Sequence, residues 1–470
     1  MAETIQTQVA VLGGGPGGYP AAFLIADQGK QVTMIDARER PGGTCTHIGC
    51  IPSKAILHAA KLITDAREAA HFGVTFGAPK IDINGVRGHL QKVVDTLSGN
   101  LARMTKARNV RPVIGKGVFV DAHTIQVENG PTVRFDQCVI ATGSIPTRPP
   151  ALDLPTPRVM DSTGALKLED VPPRLLVIGG GYIGLEMGYA YAAFGSKVTV
   201  VELTDGLLPG VDRDLVVPLT RRLETMFDKI YLKTKVLKLQ ETPKGIKAFL
   251  EGESITDKEP VFDRVLVAVG RRPNSQGLGL DKAGVAVDER GFIKVNESRR
   301  TSVSHIYAVG DIAGEPMLAH KATYEAKVVA ETIGGENAIY DARAVPAVVF
   351  TDPELAWCGL TETEAKKLNR EVKRVRFAWA GSGRAQTLGR TEGMTKLVVD
   401  PESDRVLGVG IVGVEAGEMI GEAMLAIEMG ATAKDLALTM HPHPTLTETV
   451  MEAAESLGGH AVHAIPVKKT

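Results

Sequence analysis

This chain has little of several things, and each scarcity excludes a class of protein. Four cysteines in 470 residues cannot make the disulfide framework of a small secreted domain. The charges nearly cancel, 54 basic against 55 acidic residues for a formal net charge of −1. Nothing in that balance draws the protein to nucleic acid or to an anionic membrane surface. The opening MAETIQTQ lacks the basic region, apolar core and cleavage pattern of a secretory signal. One stretch, residues 175–195, is long and apolar enough to resemble a membrane span, but it holds six glycines and Glu186. It reads better as a buried strand running into a packed helix. A soluble, cytoplasmic protein is the expectation, without membrane or nucleic-acid partners.

What is present is ordinary globular material, 44% hydrophobic and 23% charged, and the length suggests roughly three domains. An internal repeat organises the first two. Residues 8–12 read as a short buried strand, followed by Gly13-x-Gly15-x-x-Gly18, a helical AAFLIADQGK and a strand QVTMI ending at Asp36. The same order returns as LLVI, Gly179-x-Gly181-x-x-Gly184, a helical LEMGYAYAAFG and KVTVV ending at Glu202. The interval from Gly13 to Gly179 equals that from Asp36 to Glu202. Each unit therefore reads as a dinucleotide-binding βαβ. Its glycines allow a tight turn, close approach of the pyrophosphate and close helix–strand packing, and its acid accepts a ribose hydroxyl. The helix N-terminus supplies free N–H groups for the phosphates. One such glycine pattern is weak evidence; two in matching context are strong.

Further strand-like runs, QCVIATG (137–143), RVLVAVG (264–270) and HIYAVGD (305–311), each bring the chain to a glycine-associated turn. The Pro-rich PALDLPTPR (150–158) reads as a linker. From about Pro346 the pattern changes to strands and helices without another phosphate loop, including an amphipathic helix over 415–429 that Gly430 ends. A compact α+β tail is the simplest reading. The expected fold class is α/β, with two Rossmann-like dinucleotide-binding domains plus a C-terminal α+β dimerisation domain. The expected divisions are 1–149, 150–275, 276–345 and 346–470.

Two of the cysteines, Cys138 in FDQCVIATG and Cys358 in ELAWCGL, read as small buried hydrophobes. Cys45 and Cys50 differ, lying five residues apart in GGTCTHIGCIPSKAILHAAKLI. Pro52 suits an early helical position, so both lie near a helix N-terminus, where the dipole favours thiolate. A regular helix separates such residues by roughly 7.5 Å along its axis, beyond the roughly 4.4–6.8 Å between Cα atoms that a disulfide tolerates. If the bond forms, the segment must be distorted, and Gly49 gives it freedom. A metal pair or two structural thiols are the alternatives, although no second Cys/His cluster of zinc spacing accompanies them.

GGTCTHIGCIPSK, GGGYIGLE, VAVGRRPN, AVGDI, MLAHKA, DPELAWCGLT and HPHPTLTE occur in that order. Together they resemble the pyridine nucleotide–disulfide oxidoreductases, and within them the dihydrolipoyl dehydrogenases, over nearly the whole chain. The resemblance implies FAD in the first domain, with Gly13, Gly15 and Gly18 at its pyrophosphate and Asp36 at its adenosine ribose. It adds Thr44, Gly117, Thr142, Gly143 and Ser144 as FAD contacts, Asp311 at the ribityl chain and Ala319 near the ring. Lys54 is implied beside the flavin, paired with Glu186. NAD is expected on Gly179, Gly181, Gly184, Glu202 and Gly270. Cys45 is implied as the interchange thiol and Cys50 as the thiolate against the flavin. His443 is implied as the thiol's base, with Glu448 orienting it. In the family that histidine comes from the partner subunit, which implies an obligate homodimer. The implied partners are lipoyl-bearing proteins and the acyltransferase core of a 2-oxoacid dehydrogenase complex. No metal is expected.

Two residues depart from the expected pattern. His47 stands where the family usually has Asn, and Pro20 removes a backbone donor early in the first dinucleotide helix. The alternatives are a sister reductase acting on another low-molecular-weight disulfide and a non-enzymatic flavin-binding assembly component. Against two of the sister enzymes, Glu202 disfavours NADP, and the tail HAIPVKKT lacks extra cysteines.

Overall fold

The computed structural model of the chain describes residues 3–464, so the end of the HAIPVKKT tail lies outside the described residues. The apolar run that opens the sequence forms a strand, Thr4–Leu12, pairing in parallel with Val32–Asp36 on one side and Thr132–Ile140 on the other. Around it stands a seven-stranded sheet, completed when Ile306–Ala308 returns from far along the chain to pair with Thr132–Ile140. The second repeat builds a five-stranded sheet on Arg174–Ile178, flanked in parallel by Lys197–Val201 and Arg264–Val267. A third, five-stranded antiparallel sheet contains Glu354–Gly359, Val406–Gly413 and Met394–Val399, with Ala416–Met429 packed against it. The fold is the α/β class expected, with two dinucleotide-type units and an α+β tail. Among the described residues no helix is long and apolar enough to cross a membrane.

The repeat is physical as well as textual. Gly13 at φ 107° and Gly179 at φ 109° both turn where a side chain would collide with a neighbouring carbonyl, of Ala141 and Ala268. A Cβ on Gly18 would fall 1.7 Å from the Gly13 carbonyl oxygen, and one on Gly184 2.2 Å from that of Gly179. These third glycines are what let helix and strand touch. Gly18→Ala must therefore push the helix Gly18–Asp27 off the sheet. We expect at least about 1–3 kcal/mol of destabilisation, read as a lower thermal midpoint.

Other sequence features find simple places. Pro20 is the third residue of Gly18–Asp27, within the first turn, where N–H groups have no intrahelical acceptor anyway. Cys138 and Cys358 are buried core residues, and burial pushes both thiols well above their ordinary range. The 150–158 linker is less free than its prolines suggest, because Leu152 is buried with Leu176 and Ile178 of the second unit. The helix over 415–429 starts one residue later, at Ala416, because Glu415 adopts left-handed backbone at φ 61°.

Candidate active site

The two carboxylates that end the repeated strands are held alike. Asp36 accepts the Gly14 amide at 2.6 Å and the Arg38 amide at 2.7 Å. Glu202 accepts the Gly180 amide at 2.7 Å and the Thr204 amide at 2.7 Å. Both acids are thus fixed beside their glycine turns, in the same geometry.

The cysteine segment is broken rather than continuous. Cys45 lies in the short helix Gly43–Ile48, and Cys50 opens a new helix, Cys50–Glu68, with Gly49 at the break. A Cβ on Gly49 would come within 2.9 Å of the Thr44 carbonyl oxygen, so the break depends on a residue without a side chain. Both cysteines are free thiols here, and each shifts the other's proton affinity. That mutual effect drives the pair apart. Donating to Cys50, with burial adding to the effect, pushes the Cys45 thiol far up. Accepting from Cys45 brings Cys50 down to about 7; burial opposes this and the Lys54 ammonium assists it. Of the two, Cys50 is the sulfur whose thiolate this environment favours. His47 turns away from the cysteine chemistry, its Nε2 3.1 Å and 3.2 Å from the backbone oxygens of Arg40 and Pro41.

One turn along the helix, Lys54 donates to both oxygens of buried Glu186, at 2.9 and 3.2 Å. Glu186 also accepts the backbone amide of Phe350 at 3.0 Å, and the Phe350 ring lies 4.4 Å below the lysine nitrogen. The third sheet region therefore helps to fix the pair. Removing Lys54 would leave a buried carboxylate without its cation, which is strongly unfavourable.

These groups share one cavity of about 220 Å³. Gly13, Gly15, Asp36, Thr44, Cys45, Cys50 and Lys54 line it, as do Thr142, Gly143, Ser144, Glu186, Asp311 and Ala319. Ser144 donates to Asp311 at 2.5 Å and receives Arg271 at 2.8 Å. Arg271 and Phe350 escaped the sequence reading; the first lies within VAVGRRPN, while nothing local marked the second. Gly18 lies behind the lining, at the helix–strand contact. Gly117 is not a lining residue; its missing side chain makes room for Leu12, Ile125 and Ile35. Gly179, Gly181, Gly184, Glu202 and Gly270 belong to the second unit, whose helix reaches this cavity through Tyr182, Ile183, Glu186 and Met187.

His443 and Glu448 do not line the cavity. They form their own pair, Nδ1 to Oε1 at 2.9 Å, with the Thr445 amide on the other carboxylate oxygen at 2.7 Å. Burial pushes Glu448 up, but the Thr445 amide and the His443 ring outweigh it and hold the carboxyl below its usual range. His441 differs: one ring nitrogen meets Glu422 at 2.7 Å, the other the Thr439 carbonyl at 2.8 Å.

Comparison with known proteins gives these features a common context. The family described as pyridine nucleotide-disulphide oxidoreductase matches residues 7–326, and its dimerisation domain matches residues 345–454. A dihydrolipoyl dehydrogenase of Haemophilus influenzae is 48% identical over 98% of this chain and 96% of its own length. One of Bacillus subtilis is 41% identical over 98% of each. Among solved structures, LpdA of Mycobacterium tuberculosis superposes with a TM-score of 0.88 at 26% identity, covering 96% of this chain and 99% of that one. An HOCl-induced flavoprotein disulfide reductase of Escherichia coli gives 0.85 at 28% identity, covering 95% and 99%. Similarity of this extent, over the cysteine segment, both dinucleotide units and the tail alike, means that the chain belongs to the pyridine nucleotide-disulphide oxidoreductase family.

Proposed function

We propose that the protein oxidises protein-bound dihydrolipoyl groups to lipoyl and reduces NAD⁺ to NADH, using Cys45, Cys50 and a bound FAD. One observation carries the reading: the cysteine pair shares a cavity with the first dinucleotide cradle and with the helix of the second. The relatives named dihydrolipoyl dehydrogenase supply the substrate class.

The cavity suits FAD. Gly43 approaches Gly15 so closely that a Cβ there would fall 2.5 Å from the Gly15 Cα, leaving a wall of backbone that a pyrophosphate can approach. Asp36 would hold the adenosine ribose, the Ser144–Asp311 pair a polyol chain, and Lys54 the ring, with Thr44, Thr142, Gly143 and Ala319 completing the lining. FAD bound there would supply a two-electron acceptor for the reduced cysteines and a hydride donor for NAD⁺.

The chain's own groups manage the thiol half. His443 accepts the proton of a dihydrolipoyl thiol, while Glu448 keeps its imidazole in the accepting tautomer. The substrate thiolate attacks Sγ of Cys45, breaking the Cys45–Cys50 disulfide and releasing Cys50 as thiolate. The second substrate thiol then attacks the substrate sulfur of the mixed disulfide, closing the lipoyl ring, and its proton goes to Cys45, which leaves as the thiol. Lys54 stabilises the Cys50 charge. In this reading residues 1–149 hold FAD, 150–275 hold NAD, 276–345 complete the FAD site and 346–470 form the interface of a homodimer. His443 serves the partner's cysteines. The enzyme works in the cytoplasm, on lipoyl proteins of a 2-oxoacid dehydrogenase complex. Assaying the flavin-loaded protein with NADH against lipoamide and glutathione disulfide tests this. Preference for glutathione disulfide would favour a sister reductase instead.

Cofactor choice follows from Glu202. Its carboxylate would accept ribose hydroxyls and repel a 2′-phosphate. Nearby Arg213 offers no relief, because its guanidinium already donates to the carbonyls of Leu207, Leu208 and Val211. A like-charge contact costs several kcal/mol, so kcat/KM for NADH should exceed that for NADPH by at least about 100-fold. Equal efficiencies would refute the assignment.

A further inference from the structure

The helix Glu448–Gly458 carries more than the carboxylate that orients His443. Glu448, Glu452 and Glu455 lie at i, i+4 and i+7, which places them on one face. Glu452 is buried, with its side chain 5% exposed, and it too holds a histidine. Its Oε1 meets Nδ1 of His463 at 2.5 Å, and its Oε2 accepts the His463 backbone amide at 3.4 Å.

His463 reaches that position because the helix ends at Gly458 and the left-handed backbone of Gly459 (φ 76°) turns the chain back. A Cβ on Gly381 would lie 2.6 Å from the His463 carbonyl oxygen, so the returning segment is seated closely on the turn Trp379–Gly381. Ala464 packs against the tail's hydrophobic core. The returning segment is therefore docked at several points, while the imidazole itself is held through Nδ1 on Glu452 and is 59% exposed.

We propose that His463 is a positioning residue for the thiol base: by neutralising Glu452, it leaves Glu448 as the carboxylate that governs His443. The inference rests on the reading of His443 as that base.

The electrostatic reasoning is direct. A buried carboxylate is tolerated when it is paired, and His463, when protonated, is the cation on Glu452. One turn of helix separates Glu452 from Glu448, so an uncompensated charge at Glu452 is felt at the His443–Glu448 pair. The groups facing His463 are Glu452, Glu448 and Glu455, with His460 beside Glu455. The turn Trp379–Gly381 carries no titratable side chain. The hydrogen bond that Glu452 accepts from His463, reinforced by the carboxylate charge, raises the proton affinity of His463 above the ordinary histidine value.

His463→Gln keeps a donor but removes the cation. The bare Glu452 charge should then make His443 hold its proton more tightly. The acid limb of kcat/KM for dihydrolipoamide oxidation by the flavin-loaded enzyme should move up by roughly 0.5 pH unit. The ¹³Cε1-histidine NMR titration of His443 should move equally, a readout independent of turnover. His463→Lys, which restores the charge, should return both values to those of the parent enzyme. The double variant Glu452→Gln, His463→Gln, which removes both charges, should do the same. Unchanged midpoints in His463→Gln, or failure of both companion variants to restore them, would overturn the proposal. If the parent enzyme fails to oxidise dihydrolipoamide at all, the functional reading has failed. The NMR titration then still decides whether His463 governs His443.

Discussion

Cys50→Ser is expected to stop dihydrolipoamide-dependent NAD⁺ reduction, lowering it by at least roughly 10⁴-fold. NADH oxidation by an artificial electron acceptor should continue in the same protein. A serine hydroxyl forms no disulfide with Cys45, so the substrate thiolate has no sulfur–sulfur bond to attack. The acceptor reaction drains electrons from the flavin without using that bond. The pH behaviour of the reduced parent enzyme follows from the same pair. Cys50 is held down to about 7 by the hydrogen bond from Cys45, against burial and with help from Lys54. Its thiolate should thus be complete well above pH 7 and lost as pH falls through that value. The long-wavelength absorbance of a thiolate lying against the flavin should follow the same midpoint. Cys45→Ser should abolish turnover as well but keep that band, whereas Cys50→Ser should lose it. A band that survives in Cys50→Ser, or disappears only in Cys45→Ser, would reverse the two sulfurs' roles.

Features that recur or need an exceptional residue were legible in the sequence. The two glycine turns and their terminal acids could be matched by interval alone, and Gly14–Asp36 and Gly180–Glu202 then prove to be equivalent hydrogen bonds. The break at Gly49 could be inferred from the reach of a disulfide. Features that depend on distant segments were not legible. Glu186 meets the amide of Phe350 only because the third sheet packs against the second unit, and no local pattern announces a backbone amide as a partner. The helix Ile83–Ala107 shows why amphipathic reasoning passed it over. Three glycines interrupt it and its buried residues are few, Val94, Ser98 and Thr105. Along Lys235–Thr242 the alternation is broken by a register shift between Val236 and Lys238, and in Gly245–Glu251 the buried set Ile246, Ala248 and Leu250 is masked in the sequence by Phe249 on the less buried face.

The two histidines of HPHPTLTE are the case in which structure adds most to spacing. The family resemblance selects His443, five residues before Glu448, and the two side chains sit in different environments. His441 is 5% exposed, with both ring nitrogens engaged, by Glu422 and by the Thr439 carbonyl. It has no free nitrogen with which to take a thiol proton. His443 is 74% exposed and gives only Nδ1 to Glu448, leaving Nε2 for a substrate. His443→Gln should therefore slow dihydrolipoyl oxidation by roughly 10²–10⁴, the usual range for losing a general base. NADH oxidation by an artificial acceptor should persist, because it needs no thiol proton transfer. His441→Gln should cost less than about tenfold, through local loosening of the loop. Subunit mixing tests where the base acts. In a hybrid of one Cys45→Ser chain and one His443→Gln chain, a base acting across the interface leaves one of the two sites intact. A base acting within its own chain leaves none. We expect such hybrids to recover about half of the parent activity per dimer, since one complete site remains. Inactive hybrids, or a His441 change more damaging than the His443 change, would show that the base has been misplaced.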